Sequence, residues 1–106
     1  MDYIEKTFKI KNPNSGEEKT YLMREMNGEE DLAFQYQFTN PQTGALNIRD
    51  LWIKRLSRTI ISPQMPETEL KKIASWEFNS LIHQWQLMNE GVVATFLQNS
   101  EEPKTT

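Results

Sequence analysis

YIEKTFKIKNPNSGEEKTYLMRE, residues 3–25, decides the architecture. Ile4, Phe8 and Ile10 share one parity, while Glu5, Thr7 and Lys9 take the other. That period of two marks a half-buried strand. Asn12-Pro13-Asn14-Ser15-Gly16 then reverses the chain, because Pro presets a turn and Asn and Gly tolerate the left-handed conformation. KTYLMRE, residues 19–25, is the returning strand. An isolated two-stranded ribbon is marginal in water. The hairpin must therefore lie on helices or find strand partners in another subunit.

Outward from the hairpin the pattern becomes helical. Asn27 is a start signal, with Glu30 at the capping-box position and Glu29, Glu30 and Asp31 in the first turn, where the helix dipole favours acids. Leu32 and Tyr36, and Phe34 and Phe38, are spaced one turn apart. Pro41 and Gly44 end this helix, which spans about 28–39. Asn47 and Asp50 open a second helix, 47–61, with a stripe of Ile48, Leu51, Trp52, Leu56, Thr59 and Ile60. Arg49, Lys54, Arg55 and Arg58 lie largely off that stripe, and Ser62-Pro63 stops it. Pro66, Leu70 and Ile73 give a short helix over 66–74. Ser75 caps a helix over 75–90, with Phe78, Leu81, Ile82, Trp85 and Met88 on its buried side and Asn89-Glu90-Gly91 as its C-cap. Val92, Val93, Phe96 and Leu97 form a last apolar segment, helix or strand. Residues 98–106 are polar, contain Pro103, and read as a disordered tail. There is no repeat and no low-complexity tract. Strands followed by helices predict an α+β fold, an N-terminal β-hairpin packed on a bundle of four to five short helices, in one domain over 1–97.

Composition narrows the function classes. The absence of Cys excludes a disulfide scaffold, thiolate zinc and thiol catalysis. A single His, His83, excludes a multi-His metal site, and it sits beside the apolar stripe of its helix without a triad motif. Glu29, Glu30 and Asp31 are carboxylates that a hard cation would accept, but helix capping explains all three. No Gly-rich phosphate loop occurs. No cofactor, no metal and no catalytic residue is expected. No apolar run is long enough to span a bilayer, and MDYIEKTFKI lacks the apolar core of a signal peptide, so a cytoplasmic protein is expected.

What remains suits contact with protein. The segment RDLWIKRLSR, 49–58, carries four bases and Trp52, as a nucleic-acid reader would. The chain is acidic overall, with a net charge of −3, which argues against nucleic acid. Residues 27–39 carry a net −3 and residues 47–61 a net +3. These elements can pair within one chain or between copies, or make no direct contact, and Lys54, Arg55 and Arg58 are candidate partner-binding residues. Trp52 and Trp85 fall on apolar stripes and read as core. Trp76 stands at a helix start, where it either packs the helix end or joins Val92, Val93 and Phe96 in a partner-binding patch.

Three stretches carry a family resemblance: the NPNSG turn running into YLMREMNGEEDLAF (21–34), DLWIKRLSRTIISP (50–63), and ELKKIASWEFNSLIHQWQLMNEG (69–91). In order and pattern they resemble small bacteriophage tail assembly chaperones. The resemblance implies a non-enzymatic protein in the host cytoplasm, binding the tape measure protein and assisting tail tube assembly. It further implies that some relatives gain a C-terminal extension by frameshifting, and it carries no functional residue across. Alternative readings are a small phage structural or adaptor protein forming an oligomeric joint, and a DNA-binding regulator using helix 47–61.

Overall fold

Seven elements succeed one another along the chain: β1 (Glu5–Lys11), β2 (Glu18–Arg24), α1 (Gly28–Gln37), α2 (Ile48–Thr59), β3 (Ile60–Ser62), α3 (Glu67–Leu70) and α4 (Ser75–Asn99). The computed structural model describes residues 3–99, and for residues 90–99 the backbone alone. The fold is α+β, a three-stranded antiparallel sheet in the order β1-β2-β3 with helices on one face.

The hairpin pairs Phe8 with Tyr21 and Ile10 with Lys19, so Phe8, Ile10, Tyr21 and Met23 share the inner face. There they meet Ile53 and Leu56 of α2, Ile60 of β3, Leu70 of α3, and Leu81 and Met88 of α4. This is the core that the alternation in 3–25 requires. Phe78, Ile82 and Trp85 of α4 pack against it half-buried.

β3 corrects the expected 47–61 helix, which ends at Thr59. Thr59, Ile60 and Ile61 are β-branched in succession, and Pro63 disfavours a helical Ser62. The chain therefore extends and pairs Met23 with Ile60 and Leu22 with Ser62 across an irregularity in the ladder. β2 thus becomes a central strand. The α2 stripe is also corrected. Ile48 is exposed, whereas Ile53 and Arg55 are buried, because α2 is enclosed by α1, α3, α4 and the sheet.

α1 and α3 are shorter than expected, and α4 is longer. The Asn89-Glu90-Gly91 stop does not act, and α4 continues through residues 92–97, which are helix rather than strand. Residues 98 and 99 of the expected tail belong to α4, and 100–106 lie outside the described residues. Ser75 is the first helical residue of α4, and Ala74 holds the cap position: its carbonyl accepts from the amides of Glu77 and Phe78.

One short repeat does exist. Asn12-Pro13-Asn14-Ser15-Gly16-Glu17 and Asn40-Pro41-Gln42-Thr43-Gly44-Ala45 form the same turn. Each Asn side chain accepts from the amides two and three residues ahead. Each Gly sits at positive φ, 77° and 76°, and donates back to the Asn carbonyl. Each Ser or Thr hydroxyl accepts from the amide two residues on, and each Asn amide donates across the mouth of the turn.

Candidate functional site

α1 is held by charge more than by packing. The Asn27 side chain accepts from the amides of Glu29 and Glu30, the cap expected from sequence. Glu30 does not fold back as a capping box; its carboxylate binds Arg58 instead. Asp31 binds Arg55, with Nε to Oδ1 at 2.7 Å and a second contact at 3.3 Å. Lys54 lies over the Phe34 ring and bonds Glu67 at the start of α3. None of the ten residues of α1 is buried.

Arg55 is the centre of this seam. Its guanidinium lies 4.9 Å from the Trp52 ring and 4.6 Å from that of Trp85, and the two rings meet edge to face at 5.0 Å. Only 9% of Arg55 is exposed. A buried guanidinium needs both a carboxylate and π-faces to offset lost hydration, and it has them. Arg55 is thus an internal anchor, and its candidacy as a partner contact is corrected by this burial. Lys54 and Arg58 remain partly exposed, each engaged with a carboxylate. Arg49 also has Asp50 at 3.5 Å, so every base of α2 faces an acid. Two ion pairs, Asp31–Arg55 and Glu30–Arg58, thus join 27–39 to 47–61 within the chain.

The expected patch of Trp76 with Val92, Val93 and Phe96 is stretched along α4. All four lie on one continuous helix, and a rise of 1.5 Å per residue separates Trp76 from residue 92 by about 24 Å. Trp76 packs half-buried against the core. The side chains of Val92, Val93 and Phe96 lie outside the described residues.

Beside it, Glu77 joins α4 to the sheet. It is buried, accepts a short hydrogen bond from the Tyr21 hydroxyl, and accepts from Lys19 at 3.1 Å. Burial, then the hydrogen bond and the charge of Glu77, push the Tyr21 hydroxyl well above its ordinary pKa. His83 is exposed. Among the described residues no three His, Asp or Glu side chains converge as a metal site. No described helix is long and apolar enough to cross a membrane.

Sequence reading missed the exposed side of α1. Leu32 is 49% exposed and Tyr36 72%, one turn apart, while Phe34 and Phe38 are half-buried on the other side. Beyond the second turn Leu46 and Ile48 are also exposed, tied to the end of α1 by the Thr39–Leu46 bridge and the Asn47 amide bond to Phe38. The signal was present: apolar residues at 32, 34, 36 and 38, two apart, spread around a helix and cannot all face one core. A shallow cavity of about 620 Å³ opens at the N-terminal end of α1, between the β2–α1 corner and α4, with Met26, Asn27, Asp31 and Trp85 in its wall. The arrangement offers apolar side chains within a charged frame. Comparison with family models, with curated proteins and with solved structures finds no match to this chain.

Proposed function

We propose that this chain is a non-enzymatic protein-binding module of the host cytoplasm, acting as a phage tail assembly chaperone that holds a tape measure protein and assists tail tube assembly. One observation carries the binding role: α1 buries none of its own residues yet presents Leu32 and Tyr36 to solvent. Exposed apolar residues one turn apart are the anchors with which a helix meets a helical client. The charged seam beneath supports this, since Asp31–Arg55 and Glu30–Arg58 fix α1 without using that face. The tail-chaperone assignment is supported by the order and pattern of 3–34, 50–63 and 69–91. The pairing of every α2 base with an acid counts against a DNA-binding regulator, because few cations are left for phosphates.

The test is co-expression with a bacteriophage tape measure protein, followed by a pull-down. A complex and a gain in client solubility are expected, and Leu32→Ser with Tyr36→Ser should lose both while circular dichroism stays unchanged. No complex with the unaltered chain sinks the proposal. Mass spectrometry of purified virions separates the adaptor alternative, since a chaperone is absent from the finished particle.

A further inference from the structure

The outer edge of β1 is an open hydrogen-bonding template. The Glu25 amide donates to Ile4 at 2.9 Å and the Asn12 amide to Glu17 at 2.8 Å, bracketing the β1–β2 ladder. In an antiparallel pair the bonding residues alternate. Even-numbered residues of β1 therefore aim their backbone groups at β2, and Glu5, Thr7, Lys9 and Lys11 aim theirs outward. No strand pairs with that edge among the described residues.

The edge is also chemically biased. Glu5 is engaged by Arg24 at 2.6 Å. Lys6, Lys9 and Lys11 have no carboxylate within ion-pair distance among the described residues. A groove of about 400 Å³ runs between β1 and α4, with Lys9 and Lys11 on one side and Ser80, His83 and Gln84 on the other. Lysines on an edge strand repel basic strands, including a second copy of β1 itself. The same charges select an acidic strand.

We propose that the free edge of β1 takes an extended acidic segment of a protein partner as a fourth strand, its carboxylates meeting Lys9 and Lys11. This inference rests on the protein-binding reading above and names the chemistry of the segment bound. Backbone bonds to Thr7, Lys9 and Lys11 would hold it, and alternate side chains would carry selectivity.

Fluorescence anisotropy with the full chain and a labelled synthetic peptide of alternating valine and glutamate tests it. Saturable binding at low salt is expected, with none for the valine–lysine counterpart. Thr7→Pro removes an outward amide and no β1–β2 bond, so it should weaken binding at least tenfold with circular dichroism unchanged. Should Thr7→Pro fail to fold, Lys9→Glu with Lys11→Glu, both at exposed positions, makes the same demand. Absent binding, equal binding of the lysine peptide, or indifference to the charge reversal overturns the proposal. A dimer that Thr7→Pro dissociates would give the edge to a second copy, and binding gained only on deleting 100–106 would give it to the chain's own tail; either result overturns it. If the unaltered chain captures its client in the pull-down but binds neither peptide, the edge fails and the chaperone reading stands. Peptide binding without client capture has the opposite meaning.

Discussion

The turn at Asn12–Glu17 and the turn at Asn40–Ala45 share a sequence pattern and a hydrogen-bond pattern, yet they sit in unlike surroundings. The first joins two strands of seven residues whose inner face is Phe8, Ile10, Tyr21 and Met23. The second closes a single bridge, Thr39 to Leu46, and hands one helix to the next. Turn chemistry thus sets how the chain reverses, and the flanking residues set whether a ladder grows from it. Alternating residues that reach a core extend the ladder. Around the second turn the apolar residues Leu46 and Ile48 remain in solvent, and the corner is held by ion pairs.

The largest expected contrast comes from truncating one apolar side chain on each side of that comparison. Met23, fully buried, should cost about 2–5 kcal/mol as Met23→Ala, enough to threaten a domain this small. Leu46→Ala should stay within about 0.5 kcal/mol. Chemical denaturation of both variants checks this, and equal losses would mean that the corner packs as tightly as the sheet.

Next is Asp31→Ala, which strands the Arg55 guanidinium between two indoles. Because both partners keep a little solvent contact, a loss of about 2 kcal/mol is expected, below the full penalty for breaking a buried pair. The hairpin should keep its own hydrogen-exchange protection while α1 loses protection first.

Tyr21→Phe ranks third, at about 1–2 kcal/mol for a lost bond to a buried carboxylate. Its signature is pH. The folded chain holds the Tyr21 proton more tightly than the unfolded one. Stability from that difference is fully present below about pH 10, where an unfolded tyrosine ionises, and falls as the pH rises beyond it. Denaturation midpoints across alkaline pH should show that slope, and Tyr21→Phe should reduce it.

The smallest effect compares the turns directly. Alanine at Gly16 or Gly44 meets no close neighbour, so the penalty is the positive φ, about 1 kcal/mol at each site. Gly16→Ala should lower the global melting temperature, because the hairpin unfolds with the core. Gly44→Ala should loosen only the α1–α2 corner, which amide exchange would detect. A global loss from Gly44→Ala would break the distinction.

These contrasts also explain what was legible in the sequence. The hairpin, the Asn27 and Asn47 caps and the α+β class come from local rules, because alternation, turn residues and capping each act within a few positions. β3 was hidden because Ile60 suits a helical stripe as well as a strand, and only the vacant edge of β2 decides between them. Arg55 looked like a surface charge because its partners, Asp31 and Trp85, are 24 and 30 residues away in sequence. The continuity of α4 through Gly91 overrode the local stop and set Trp76 and residue 92 far apart along one helix. The exposed pair Leu32 and Tyr36 was readable in principle from the two-residue spacing, which one buried stripe cannot accommodate.

The clasp of Arg55 by Trp52 and Trp85 makes the molecule its own optical gauge. Two indoles held edge to face give coupled near-ultraviolet transitions, and the cation wedged against them is tethered to α1 through Asp31. Whatever tugs on α1 from outside should register in that spectrum without any added dye.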